Sequence, residues 1–158
     1  MKIAIGSDHA AFKLKQILLD HLRARGLDVI DFGTHDENRT DYPIYAEKVA
    51  RAVAAGEYER GILVCGSGVG MAISANKIKG IRAVVCSETY SAILSRNHND
   101  SNVLCVGERV VGPGLAVMIA DEWLEAEYEG GRHQRRVDMI RALDEQQPDD
   151  EHPFVTCG

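Results

Sequence analysis

The sequence has few cysteines and no long apolar run, and both shortages bear on the class of protein. Its apolar stretches, such as residues 62–64 and 83–85, are far shorter than the roughly 20 residues of a membrane-spanning helix. The four cysteines are far apart and form no Cys-x-x-Cys pair, which favours reduced thiols over a secreted disulfide framework or a zinc knuckle. The first residues run into an apolar segment without a charged and apolar leader. We therefore expect a cytoplasmic protein with no membrane partner.

The sequence also lacks a block of lysine and arginine long enough to suggest nucleic acid or a membrane surface. Its formal charge is −6, but five acidic residues follow the last basic residue, Arg141: Asp144, Glu145, Asp149, Asp150 and Glu151. Residues 1–143 therefore hold the other 19 of the 24 acids against all 18 bases and are nearly neutral. We predict a single domain over residues 1–145, an acidic C-terminal tail over 146–158, and a small-molecule partner rather than nucleic acid.

Short β-branched apolar runs alternate with longer segments of helical period, as in βαβ units. Five strands are predicted, at Lys2–Gly6, Asp28–Asp31, Gly61–Cys65, Ile81–Cys86 and Val103–Gly107. Helices are predicted over 12–22, 45–54, 70–76, 89–96, 115–127 and 134–143. The predicted fold is α/β, a three-layer α/β/α sandwich around a Rossmann-like open parallel sheet. Ligands of such sheets bind beyond the carboxyl ends of the strands, so the residues that follow each strand are candidates for the site.

A glycine-rich loop, residues 66–70, separates Cys65 from the next predicted helix. Alternating glycines let several backbone N–H groups face an anion. A Walker loop would need a lysine that the segment lacks, and a tyrosine-phosphatase loop would need arginine where Met71 stands. The spacing G-x-G-x-G also departs from the dinucleotide fingerprint, although Glu88 lies near the place of an acidic ribose ligand, so NAD binding stays a weak alternative.

The remaining interpretation of this loop is oxyanion binding beside a thiol. Backbone N–H groups would stabilise a developing oxyanion and favour the thiolate form of Cys65, which could then accept a proton. The alternative is that Cys65 is a small buried apolar residue and that the glycines only allow close packing.

Three further groups of polar residues follow predicted strands or open a predicted helix. Asp8 and His9 bring a carboxylate and an imidazole to the end of the first strand. His98 lies in a predicted polar loop, where a solvent-facing histidine is the alternative. Arg132 and Arg136 are four residues apart near the start of the last helix, where two guanidinium groups suit a phosphate, although pairs with nearby glutamates would explain them equally well.

Together these motifs resemble the type B ribose-5-phosphate isomerase family. The resemblance extends from Lys2 to about Leu143 and rests on GSDHA (6–10), RTDYP (39–43), CGSGVG (65–70), ANK (75–77), SRNHND (95–100) and YEGGRH (128–133). It implies interconversion of ribose 5-phosphate and ribulose 5-phosphate through a cis-enediolate, without a metal or another cofactor. It also implies a homodimer, or a dimer of dimers, with the site at the subunit interface. Isomerases of six-carbon sugar phosphates (allose or galactose 6-phosphate) share the architecture and stay an alternative, as does a non-catalytic phosphometabolite-binding module.

The resemblance also implies catalytic roles. Cys65 would move a proton between C1 and C2, His98 would open the furanose ring, and Asp8 would assist at the ring oxygen or the hydroxyls. Ser67 would lie beside O1 and O2 of the sugar. The enediolate oxygen would be held by the backbone N–H groups of the loop: Gly66, Ser67, Gly68, Val69 and Gly70.

Binding roles follow in the same way. The phosphate would be bound by three residues: His9, Arg132 and Arg136. Tyr42 would contact the sugar. Asn99 and Arg109 would complete the pocket from the partner subunit.

Overall fold

Five parallel strands form the centre of the structure, a computed structural model that describes residues 1–145. The strands are β1 (Lys2–Ser7), β2 (Asp28–Asp31), β3 (Arg60–Cys65), β4 (Ala83–Val85) and β5 (Val103–Gly107). The helices are α1 (Phe12–Ala24), α2 (Tyr42–Ala54), α3 (Val69–Ala75), α4 (Thr89–Asn99), α5 (Pro113–Glu125) and α6 (Gln134–Glu145). Short 3-10 turns, His9–Ala11 and Gly131–His133, precede α1 and α6. The predicted fold class is confirmed, and the predicted tail lies outside the described residues.

Both faces of the sheet are covered, because successive side chains of a strand point to opposite faces. In β3, Ile62 and Val64 pack in the core beneath α1, α4 and α5, whereas Leu63 and Cys65 pack in the core beneath α2 and α3. A strand buried on both faces has a continuous apolar sequence, which is why β3 could be predicted. Within residues 1–145, no helix is long and apolar enough to cross a membrane.

The strand order β2-β1-β3-β5-β4 places the turning point of the topology between β1 and β3. From β1 the chain adds β2 on one side and then returns to add β3 on the other, with Ser7 of β1 beside Val64 of β3. In open parallel sheets, ligands bind in the crevice at such a point. The loop after β1 and the loop after β3 therefore form the two sides of one crevice.

Strand β4 is shorter than the predicted segment 81–86, and side chains hydrogen-bond the backbone at its start. Asn76 Nδ2 donates to the Ala83 carbonyl at 2.9 Å, and the Ala83 N–H donates to Asn76 Oδ1 at 2.8 Å. The Arg82 N–H donates to Asn102 Oδ1 at 2.8 Å. Asn76 therefore bonds the first residue of the edge strand, which also pairs with Val103 of β5, and Asn102 bonds the backbone just before it.

The prediction of a polar loop around His98 was wrong, since α4 continues through Asn99. The helix ends at Asp100, whose φ of +48° is left-handed, and the Asp100 N–H donates to the Arg96 carbonyl at 3.2 Å. Arg96 is buried and donates from Nη1 to Asp100 Oδ1 at 2.8 Å. The polar composition of this segment therefore reflects a helix end closed by a buried ion pair.

Candidate active site

A cavity of about 560 Å³ opens at the carboxyl ends of β1 and β3. Eight of the predicted site residues line it: Asp8, His9, Tyr42, Cys65, Gly66, Ser67, Gly70 and Arg109. Arg39 also lines it, and sequence reasoning gave this residue no role although it opens the RTDYP motif. Six other predicted residues do not line this cavity: Gly68, Val69, His98, Asn99, Arg132 and Arg136.

The thiol of Cys65 lies at the base of the glycine-rich loop. Cys65 is only 5% exposed, and the Gly68 N–H donates to its Sγ at 3.1 Å. Gly68 adopts a left-handed φ of +80°, which glycine allows without strain and which turns its N–H toward the sulfur. The Val69 N–H donates to Ser67 Oγ at 3.3 Å. The loop thus directs a backbone donor at the sulfur, where it stabilises negative charge.

The other two cysteines among the described residues, Cys86 and Cys105, are structural. Burial raises the pKa of Cys86 to about 11, and it raises the pKa of the fully buried Cys105 well above the ordinary thiol value. Cys65 is the cysteine that lines the cavity. Cys65 therefore has access to a ligand because it lies at the end of β3.

Arg109 lies over the loop of its own chain. Its N–H donates to the Gly66 carbonyl at 3.0 Å, and a Cβ added to Gly66 would lie 3.1 Å from Arg109 Nη1. Gly66 therefore leaves room for the guanidinium group. The prediction that Arg109 reaches the pocket from a partner subunit was wrong, because the turn after β5 places it in the cavity that contains Cys65.

Asp8 brings an unsatisfied carboxylate oxygen to the opposite side of the cavity. The residue is 7% exposed, and within residues 1–145 neither Asp8 Oδ1 nor Ser7 Oγ has a hydrogen-bond partner. A buried acceptor without a donor costs free energy, which a ligand hydroxyl can recover. The position suits recognition of a polyhydroxylated ligand.

His9 and Tyr42 frame the mouth of the same cavity. His9 Nδ1 lies 3.1 Å from the Thr40 carbonyl oxygen and 3.2 Å from the Thr40 backbone nitrogen, so the Thr40 backbone holds the imidazole at the cavity. Tyr42 begins α2, with Pro43 in the first turn, and its ring packs directly on the loop. A Cβ on Gly70 would lie 2.7 Å from that ring, so Gly70 is required for the contact.

Four of these residues belong to a second group near the end of α4 and the start of α6: His98, Asn99, Arg132 and Arg136. His98 and Asn99 line a smaller cavity of about 380 Å³ beside β4. The ring of His98 stacks on that of His133, with 4.1 Å between centroids and 11° between planes. His133 is 5% exposed and was missed as a site residue, although it lies within the YEGGRH motif.

The second group favours a neutral imidazole at His133. Burial lowers the pKa of His133, and the charges of His98, Arg132 and Arg136 lower it further, whereas Glu129 opposes the shift. Glu129 Oε2 lies 3.5 Å from His133 Nε2. Arg132 and Arg136 are thus close enough to act on the same ring, and their charges give this group an attraction for anions.

The second group also contains three potential metal ligands. Donor atoms of His98, Glu129 and His133 lie within 4.8 Å of one another. Imidazole lone pairs lie in the plane of each ring, so two parallel stacked rings do not aim them at one point. The neighbouring guanidinium groups further oppose a cation, and the geometry fits ring stacking beside an anion better than shared ligation.

Comparison with known proteins places this arrangement in a family. Residues 3–140 match the profile of the Ribose/Galactose Isomerase family. Ribose-5-phosphate isomerase B of Escherichia coli K12 is 62% identical over 144 residues, which are 91% of this chain and 97% of that protein. The structure of Clostridium thermocellum ribose-5-phosphate isomerase B has a TM-score of 0.92 at 53% identity, covering 94% of this chain and 100% of that one. The Mycoplasma genitalium ribose-5-phosphate isomerase B with bound ribulose 5-phosphate has a TM-score of 0.88 at 39% identity, covering 92% and 97%. The chain therefore belongs to the ribose/galactose isomerase family.

Proposed function

We propose that this chain is an isomerase that interconverts ribose 5-phosphate and ribulose 5-phosphate. The observation that carries the proposal is the Cys65 thiol, which faces a cavity and accepts a hydrogen bond from a backbone N–H of the loop beside it. The names of the E. coli and C. thermocellum relatives, and the ligand of the M. genitalium relative, support the five-carbon substrate.

The reaction moves one proton between two neighbouring carbons. The Cys65 thiolate takes the proton from C2 of the open-chain aldose, the C–H electron pair forms a C1=C2 double bond, and the carbonyl oxygen becomes an enediolate oxygen. A second proton passes from the C2 hydroxyl oxygen to O1, and return of the first proton to C1 then gives the ketose, so C2 is oxidised and C1 is reduced within one molecule. Backbone N–H groups of residues 66–70 stabilise the oxygen charge, with the Ser67 hydroxyl beside the two oxygens.

Binding and ring opening use the remaining polar residues. The unsatisfied Asp8 Oδ1 accepts a sugar hydroxyl, Tyr42 contacts the sugar, and His9 donates to the phosphate. His98 donates a proton to the ring oxygen as the bond between that oxygen and C1 breaks, and the C1 hydroxyl releases its proton to solvent as it becomes the aldehyde. Arg132 and Arg136 bind the phosphate as guanidinium groups that match its geometry.

The complete site requires a second copy of the chain. Cys65 and His98 lie in different cavities of one chain, so the two groups meet when the second group of one subunit faces the first cavity of another. Apolar side chains stay exposed beside both groups: Val69 and Ile73 on α3, and Tyr90 on α4, which is 72% exposed. A homodimer, alone or paired into a tetramer, would cover these side chains and form two sites.

Turnover of a panel of four-, five- and six-carbon aldose phosphates, each with a chelator present, tests this function. We expect ribose 5-phosphate to have the highest kcat/KM and the chelator to have no effect. A preference for six-carbon phosphates would contradict the substrate assignment, and binding without turnover of any sugar would leave a phosphometabolite-binding module.

A further inference from the structure

His133 has no role in the reaction described above, yet it is buried and stacked face to face on His98. We propose that His133 is a positioning residue for ring opening, which holds the His98 ring in one orientation so that its nitrogen meets the ring oxygen of the sugar. The inference rests on the proposed function, because it assigns a task to the contact between His133 and the residue that opens the ring.

The backbone around His133 is tied to the helix that carries His98. The Glu129 N–H donates to the Asn97 carbonyl at 3.0 Å, which joins the segment before the 3-10 turn to the residue preceding His98. The His133 N–H donates to the Gly130 carbonyl at 2.9 Å and closes that turn. His133 therefore has a fixed place relative to α4.

The end of α4, which carries His98, is also held in place. Asp100, directly after α4, accepts from Arg96 at 2.8 Å and from Arg82 at 3.0 Å, and its carboxylate lies 3.7 Å from Arg141 of α6. The end of α4 is thus linked both to the sheet and to the helix that follows His133. A rigid second ring can then restrict rotation of the first about its side-chain bonds, as a proton-transfer group requires.

The charges around the stack support a neutral partner ring. The groups that face His133 are His98 on α4, Glu129 before the 3-10 turn, Arg132 within it and Arg136 on α6. A positive charge on His133 would lie near the guanidinium groups of Arg132 and Arg136, opposed by one carboxylate. His133 therefore supports His98 as a flat uncharged surface.

An alternative role for His133 is direct binding of the phosphate, and kinetics distinguish the two roles. Loss of a phosphate ligand raises KM, as it would for Arg136→Ala, whereas loss of His98 orientation lowers kcat. The two roles also differ in which step slows. Ring opening precedes proton transfer from ribose 5-phosphate, but open-chain ribulose 5-phosphate exchanges its C1 proton with solvent without any ring opening.

The test compares His133→Ala with His133→Phe, which keeps a flat ring but has no nitrogen. We expect His133→Ala to lower kcat on ribose 5-phosphate roughly tenfold or more, with KM nearly unchanged, because small misplacements of a reacting group are costly. His133→Phe should recover most of that kcat. Deuterium exchange at C1 of ribulose 5-phosphate should keep its wild-type rate in both variants, and Arg135→Ala serves as an α6 control without effect.

Proton NMR of His98 supplies a measurement that is independent of turnover. Ring-current displacement of the His98 resonances should be present in the wild type and in His133→Phe and absent in His133→Ala. A rise in KM without loss of kcat, equal kcat losses in the two variants, or exchange that slows with turnover would each overturn the positioning role. If the wild type shows the stack by NMR but does not convert ribose 5-phosphate, the proposed function fails instead.

Discussion

The backbone N–H of Gly68 donates to Sγ of Cys65 at 3.1 Å. The bond connects the proposed base with the loop that is proposed to stabilise the enediolate, so one amide lies beside the negative charge both before and after proton transfer. In the proposed reaction the negative charge moves from the sulfur to a sugar oxygen beside the same loop, and the fixed amides do not have to reorganise.

Replacing Cys65 by alanine removes the proposed base. We expect Cys65→Ala to lower kcat roughly a hundredfold to ten-thousandfold, the usual contribution of a general base, with little change in affinity for a sugar-phosphate ligand. Steady-state kinetics and calorimetric titration measure the two quantities. The control is Cys105→Ala, a change in the fully buried thiol of β5 that should leave kcat unchanged. Equal activity of the two variants would place the base elsewhere.

Alanine at Gly68 tests the geometry of the loop. The left-handed φ of +80° costs a residue with a Cβ about 1–2 kcal/mol. The new Cβ would also lie 3.0 Å from the Val106 carbonyl carbon. We expect lower stability and lower kcat, measured by urea denaturation and turnover. Gly80→Ala is the matched control, because Gly80 has a φ of +84° but no atom within 4 Å of the added Cβ, so it should lose stability alone.

We expect the ion pair of Lys15 and Asp31 to stabilise strongly the loop after β2, which contacts β1 next to Asp8. Lys15 is fully buried, and its Nζ donates to Asp31 Oδ1 at 2.7 Å and to the Thr34 carbonyl. The Thr34 N–H in turn donates to the Ser7 carbonyl at 2.7 Å. Asp31→Asn leaves the lysine charge buried without a full partner, which costs on the order of 3–5 kcal/mol.

The matched control for that pair is Arg51→Ala, which breaks an exposed pair with Glu47 on α2. Exposed pairs of this kind contribute at most about 0.5 kcal/mol. In urea denaturation, the loss in free energy of unfolding should therefore be severalfold larger for Asp31→Asn than for Arg51→Ala. Similar small losses in the two variants would contradict the importance of the buried pair.

The acidity of His133 gives the protein a stability that depends on pH. Burial and the nearby positive charges lower the pKa of His133 in the folded state. The unfolded chain takes up this proton first, at a pH of about 6.5, so stability decreases as pH falls from that value through the lower folded pKa, and changes little from this source above it. As the pH is lowered from 8 to 5, the urea midpoint should fall less steeply for His133→Phe than for the wild type. Parallel slopes would show that another group causes the effect.

Much of the fold could be predicted because its signals are local. Strand β5 has the predicted bounds because it is a short apolar run buried along its whole length. Strand β2 also has the predicted bounds, although it lies at the sheet edge and Val29 is its one buried residue. The positions of Asp8 and Cys65 followed from the predicted ends of the first and third strands. That the two lie in one crevice could not be predicted from the strand pattern alone, because it depends on the pairing of β1 with β3, which is a contact between distant parts of the chain.

The second group was predicted less well for the same reason. Polar composition around His98 indicated a loop, whereas a long-range network at Asp100 closes a helix there. The stack of His98 on His133 joins residues 35 positions apart, and no local sequence pattern at either histidine predicts the contact. Arg109 was assigned to the partner subunit because the sequence does not show which way the turn after β5 faces. That direction depends on how the turn packs on the loop at Gly66.

The proposed division of the site between two cavities predicts complementation between inactive variants. Cys65→Ala removes the base from the first cavity, and His98→Asn removes the ring-opening group from the second. In a mixed dimer, one of the two interface sites then combines the intact Cys65 of one chain with the intact His98 of the other. Random mixing of equal amounts should restore about a quarter of wild-type turnover, because about half of the dimers are mixed and each has one complete site.

Arg109 decides which pairs should complement. It lies in the cavity of Cys65, so Arg109→Ala mixed with Cys65→Ala should recover no activity, because every mixed site lacks one of the two groups. Arg109→Ala mixed with His98→Asn should recover activity like the first pair. Mixtures are refolded together from urea and assayed against each variant refolded alone. Recovery of the Arg109 and Cys65 pair, or failure of both mixtures with His98→Asn while the proteins are dimeric by light scattering, would show that the site is not shared in this way.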